Sequence, residues 1–145
     1  MKPIFQKILD VDKGDCASAC LASILEIELE QVPSFWELAR GSTPRMQDEM
    51  RSWLESLGYC LLTVPVKDTF ILYSNLVGCH AFAGVKSQMF EGVHHGVVVT
   101  WVQKDEHTVG MEIVHDPNPQ NKRKYKPSEI EDLSFLIPIN PRVLR

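Results

Sequence analysis

The sequence predicts an α+β fold in which N-terminal helices pack on an antiparallel β-sheet. Two observations carry that prediction. Apolar residues recur at helical spacing up to Gly58, and from Tyr59 onward they fall into short β-branched and aromatic runs parted by turn-forming residues. Length adds a third: 145 residues fit a single domain, 1–145, and no linker divides them.

Residues 15–27 predict the first helix. Gly14 breaks what precedes it, Asp15 is a good N-cap, and Ala17, Cys20, Leu21, Ile24 and Leu25 share one face. Pro33 stops any continuation, with a restart at Ser34. The next long helix is capped by Thr43, has Pro44 in its first turn, presents Met46, Met50, Trp53, Leu54 and Leu57 as a stripe, and ends at Gly58. Then come strands. YCLLTVPV (59–66) carries Pro65, which belongs at a sheet edge or a strand end. GCHAFAGV (78–85) follows, then HHGVVVTWV (94–102), the richest in β-branched residues. A polar connection at 103–107 makes the latter a hairpin with TVGMEIVHD (108–116). DPNPQNKRKY is a loop, Ser128 caps a short turn, and FLIPI (135–139) is the closing strand.

Composition excludes several classes. A hydrophobic fraction of 44% with 23% charged residues is ordinary for a globular chain. The net charge of −4 lacks the basic excess that neutralises phosphates, so no nucleic-acid partner is expected. The one basic cluster, Lys122, Arg123, Lys124 and Lys126, reads as solvated surface. The start MKPIFQKILD is not a secretory signal, and no run approaches the ~20 apolar residues of a membrane span. A cytoplasmic protein with no membrane partner is expected, and its four cysteines should stay reduced. Each is then core filler, metal ligand or nucleophile.

Cys16 stands in the first turn of the predicted helix, where unpaired N–H groups and the helix dipole favour a thiolate. Asp15 opposes this unless its carboxylate is turned into the cap, and a half-buried structural cysteine is the competing reading. A thiolate nucleophile needs a histidine in reach and a third group to orient that histidine. Among the five histidines, His80 and His107 read as structural or solvated. His94 and His95 open the strongest strand. His95 shares a face with Val97 and Val99, expected to point toward the packed helix, while His94 faces the other way. Asp116 ends the strand that pairs with the one His95 begins, so antiparallel pairing alone brings the two together. Asp116 is equally an ordinary turn residue before Pro117, and Asn118 could orient the ring instead if the loop folds back.

GDCASACLASILEIELEQVP (14–33) resembles the nucleophile helix of small papain-like cysteine peptidases found in phage, prophage and bacterial genomes. HHGVVV (94–99) resembles their G-H-A-V-V strand, VHDPNP (114–119) their V-H-D-P-x-P, and MKPIFQ their usual first residues. The matches run from Met1 to about Pro119 in the expected order. The resemblance implies a papain-like fold, with Cys16 as nucleophile, His95 as base and Asp116 orienting it. It implies cysteine-dependent hydrolysis, or acyl transfer, at a peptide, isopeptide or other amide or thioester bond of a peptide or protein substrate, without a cofactor. More distantly the chain is similar to bacteriocin-processing peptidase domains, which place an oxyanion-hole glutamine about six residues before the cysteine. Asp10 occupies that offset here. Either Gln6 reaches the site, or backbone N–H groups such as that of Cys16 bind the oxyanion. The loop Gly84–His94 should border the substrate cleft, with Met89 and Phe90 as contacts, and His94 and Asn118 are further cleft candidates.

Two alternatives accompany this reading. Cys16 and Cys20, four apart on one helix face, could join His94, His95 or His115 at a zinc ion, although a second close pair of ligands is missing from the sequence. Cys20 then otherwise packs under the nucleophile turn, and Cys60 and Cys79 read as core. The other alternative is a catalytically decayed papain-like module that binds a protein or peptide partner, supported by the missing glutamine at the usual offset.

Overall fold

The computed structural model describes residues 1–11 and 13–139; residues 140–145 of the expected domain lie outside the described residues. Among these, three α-helices precede five strands: α1 (Cys16–Leu25), α2 (Phe35–Leu38), α3 (Thr43–Ser56), β1 (Tyr59–Pro65), β2 (His80–Lys86), β3 (His94–Gln103), β4 (Val109–His115) and β5 (Asp132–Pro138). The strands form one open antiparallel sheet in the order β1-β5-β2-β3-β4. The chain is therefore α+β.

β5, last in sequence, lies between β1 and β2. β1 is left at the border, where Pro65 costs no ladder bond. Inserting β5 buries Leu133 and brings the Ser134 hydroxyl to 2.7 Å from that of Thr63.

Both faces of the sheet are covered. One, through Tyr59, Leu61, Phe82 and Leu136, packs on α1 and α3 around Leu21, Phe35 and Leu54. The other, through Ala83, Val85, Val97, Val99, Trp101 and Leu133, lies under Tyr73, Leu76, Tyr125 and Ile130. Residues 95–101 of β3 are consequently all buried, as a strand with two covered faces must be.

α1 departs from the expected single apolar face. Ala17 to Ser23 are all buried. Small side chains let the helix sink between the sheet and the chain around it. Ser18 Oγ donates to Pro33 O at 2.8 Å, and Ser23 Oγ accepts the Ile4 N–H at 2.9 Å. On the sheet side Gly96 makes the room, since a Cβ there would sit 2.3 Å from the Phe82 ring and 3.5 Å from Cys20 Sγ. α3 is capped by Ser42 rather than Thr43, which is its first residue, and Gly58 follows its end at φ +85°. Near the last strand a short 3₁₀ turn covers Pro127–Glu129, with Lys126 and not Ser128 at its cap.

Cys60 and Cys79 are exposed, contrary to the core assignment. Cys60 lies on the edge strand β1, pointing away from the side that Tyr59 and Leu61 bury. Cys79 precedes β2 in a turn closed by its N–H to Leu76 O. No helix among the described residues is long and apolar enough to cross a membrane.

Candidate active site

Three elements deliver the predicted residues to one place. α1 begins at Cys16, β3 carries His94 and His95 at its start, and Asp116 follows the last residue of β4. His95 Nε2 lies 2.7 Å from Asp116 Oδ1, and the Cys16 side chain is close enough to the ring to help raise its pKa. With Nε2 taken by the carboxylate, Nδ1 is the ring nitrogen left for the sulfur.

The route by which His95 arrives differs from expectation. It does share a face with Val97 and Val99, but that face is not the one on which α1 rests. The α1 side belongs to Gly96, opposite Cys20, while His95 stacks on Tyr125 at 5.8 Å with ring planes 28° apart. Contact with Cys16 is made from the start of the strand, one residue from where Gly96 lets the helix touch the sheet.

Asp116 reaches the same face through an irregularity. Val99 pairs with Ile113 but Val98 pairs with His115, so Val114 is the extra residue of a β-bulge. Continued in the bulged register, Asp116 stands beside Val97, on the face of His95. In an unbulged ladder it would stand beside Gly96 and point to the other side, because one residue of slip exchanges the faces.

The carboxylate is then held on both oxygens. The Asn118 N–H donates to Oδ1 at 2.9 Å, and Asn121 Nδ2 donates to Oδ2 at 2.6 Å. Asn118 therefore supports Asp116 and does not replace it. Its own Nδ2 donates to Asn121 Oδ1 at 3.2 Å and to Met89 Sδ at 3.0 Å. Burial alone would raise the Asp116 pKa, but the hydrogen bonds from His95, Asn121 and Asn118 outweigh it and hold the group below its usual 3.8. His95 is 7% exposed. Burial alone would lower its pKa, yet the hydrogen bonds to Asp116 and Cys16 and the charges of both raise it from 6.5 to about 9.

Asp15 does not turn its carboxylate into the helix cap. Its backbone starts α1, the Asp15 carbonyl accepting the Ala19 N–H, but its side chain caps nothing in the helix. The carboxylate turns away to accept the N–H groups of Lys7 at 3.2 Å and Ile8 at 3.0 Å.

Cys16 and His95 open on a cleft of about 360 Å³, walled mainly by Leu9, Trp36, Met46, Met89, Phe90 and Val93. The loop after β2 thus borders the cleft as expected. His94 lies at its rim, exposed, with Nδ1 3.3 Å from Glu131. Asn118 and Gln6 line it too. Gln6 is buried; its Nε2 donates to Ile8 O at 3.0 Å, while its Oε1 has no hydrogen-bond partner. Cys20 is fully buried, its pKa raised well above 9.0 by burial and by Cys16 and Asp116. No three His, Cys, Asp or Glu side chains among the described residues gather as a metal site.

Sequence reasoning did not find Asn121, Tyr125 or the bulge at Val114. Asparagines in a D-P-N-P-Q-N loop were the available signal for the first. Nothing local marks a tyrosine nine residues on as the partner of an imidazole. A scan against profiles of known protein families and a search of the curated proteins each return no match to this chain.

Proposed function

We propose that the protein is a papain-like thiol hydrolase acting on a peptide, isopeptide or related acyl bond, with Cys16 as nucleophile, His95 as acid–base and Asp116 as orienter. Cys16 and His95 side by side on the wall of an apolar cleft, with Asp116 hydrogen-bonded to the imidazole at 2.7 Å, is the observation that carries this reading. Cys16 sulfur attacks the carbonyl carbon, and the C=O pair moves to oxygen. Collapse of the oxyanion expels the leaving amine or thiol, which takes the proton from the His95 imidazolium. His95, now neutral, draws a proton from water as the water attacks the thioester, and the acid product leaves Cys16 free. The ring's raised pKa keeps the imidazolium present at neutral pH for the first step. Asp116 fixes the ring through Nε2 and stabilises its charge.

The cleft supports a substrate class as well. Its walls hold no lysine or arginine among the described residues and present aliphatic, aromatic and thioether groups, which favours bulky apolar side chains beside the scissile carbonyl.

Exposed Cys60 and Cys79 provide internal controls for the test. Iodoacetamide at pH 7, read by peptide mass mapping, should modify Cys16 faster than either, and Cys16→Ala should remove the fast phase together with turnover of an apolar peptide thioester. Equal rates at Cys16, Cys60 and Cys79 would overturn the assignment. One observation favours a decayed binding module instead: Gln6 is buried and commits one of its two N–H donors to Ile8 O. That reading predicts peptide binding with no turnover and an ordinary thiol reaction profile at Cys16.

A further inference from the structure

Residues beside Cys16 and Asp116 direct side chains and a carbonyl at a single target, the N-terminal arm. Asp15, next to Cys16, accepts the N–H groups of Lys7 and Ile8. His115, next to Asp116, lies 2.7 Å from Ile4 O through Nε2, and since a carbonyl only accepts, Nε2 carries the hydrogen. Pro117, on the other side of Asp116, accepts the Gln6 N–H at 2.9 Å through its carbonyl. The arm belongs to no helix or strand, so its backbone groups must find partners elsewhere, and these partners come from both halves of the site. His115 is buried, with Phe5 against its ring edge at 5.1 Å. It occupies the α1 side of the sheet because the bulge at Val114 pairs it with Val98.

We propose that His115 and Asp15 are positioning residues that clamp residues 4–8 and thereby fix Gln6 on the cleft wall it shares with Cys16. This rests on reading Cys16 as the nucleophile. Gln6 has two N–H bonds on Nε2. One is held by Ile8 O, which orients the carboxamide, and the other is the donor that meets the developing oxyanion. Asp15 spans the arm and the start of α1, so the arm moves with the nucleophile; His115 and Pro117 span the arm and the end of β4, so it moves with the orienting acid. The clamp ties the oxyanion donor to both.

Acylation of Cys16 by an activated ester passes through an oxyanion, whereas alkylation by iodoacetamide does not, so the ratio of the two rates isolates the donor. Gln6→Ala should lower the acylation-to-alkylation ratio by about 100-fold, the scale of one lost oxyanion donor. His115→Phe, which keeps the ring volume and removes the donor, should lower the same ratio. It should add nothing in a Gln6→Ala background. His115→Gln, which retains a donor, should restore much of the ratio, and hydrogen exchange at the Gln6 amide should quicken in His115→Phe alone. If His115→Phe slows both reactions alike, or lowers the ratio further once Gln6 is gone, the arm is not the conduit and the proposal falls. If Cys16 in the unaltered protein reacts no faster than Cys60, the hydrolase reading fails, and amide exchange at Gln6 still decides separately whether His115 holds the arm.

Discussion

At the scale of single residues, the site depends on how one imidazole is held. His95 gains its high pKa from partners that favour the charged ring against the opposing effect of burial. Its folded value of about 9 exceeds the ordinary 6.5, so the stability it contributes is complete below about pH 6.5 and is lost as pH rises through 9. Asp116 has the opposite sign, since its pKa is depressed: its contribution is present above 3.8 and fades as pH falls through the lower folded value. In the proposed hydrolase the first acyl-transfer step needs the imidazolium, so the alkaline limb of a kcat/KM profile should fall near pH 9. Asp116→Asn removes a charge and turns an acceptor into an amide, and should bring that limb down by about 1 to 3 pH units. A limb that stays at 9 in the variant would show that Asp116 does not tune the ring. Cys16, His95 and Asp116 were all legible in the sequence, because a helix start, a strand start and a hairpin end are local features. Asn121 and Tyr125 were not, because a loop fixes its path only when it packs.

The elements explain why these residues meet on one face. Hairpin pairing predicted from the sequence brings the ends of β3 and β4 together, but it does not say which way Asp116 points. The extra residue, Val114, decides that. Inserting one alanine between His115 and Asp116 should move Asp116 from beside Val97 to beside Gly96, turn it toward the α1 side and leave His95 without its carboxylate. By NMR the His95 ring should then titrate well below its value of about 9 in the intact protein, while far-UV circular dichroism still reports a folded sheet. Retention of the high value would mean that the loop after β4 re-aims Asp116 whatever its register. Gly96 is the complementary device. Its missing side chain lets α1 seat Cys20 on β3, and the next turn up the helix is the one that begins at Cys16. The HHGVVV pattern contained this glycine, but only the position of α1 gives it a purpose.

For the whole molecule, the helices and the 3₁₀ and loop segments enclose the sheet on both faces, and the site lies where α1, the arm and the two sheet-end loops converge. Its geometry therefore depends on the packing of α1. Leu21 is fully buried in the helix-side core, and Leu21→Ala should cost about 2–5 kcal/mol in urea unfolding. Leu62→Ala, at a position 45% exposed, should cost less than about 0.5 kcal/mol. Similar losses at both positions would contradict the packing described. The sequence by itself determined the element order, the α+β class, and the three residues that meet in the candidate site, since periodicity, caps and hairpin pairing are encoded over a few neighbouring positions. Only the tertiary structure decided that β5 lies inside the sheet, that Cys60 and Cys79 face solvent, and that His95 lies on the face away from α1. It alone decided that His115 and Asp15 reach back to the arm. These outcomes are set by which surfaces bury one another across long stretches of chain, and no local pattern carries that information.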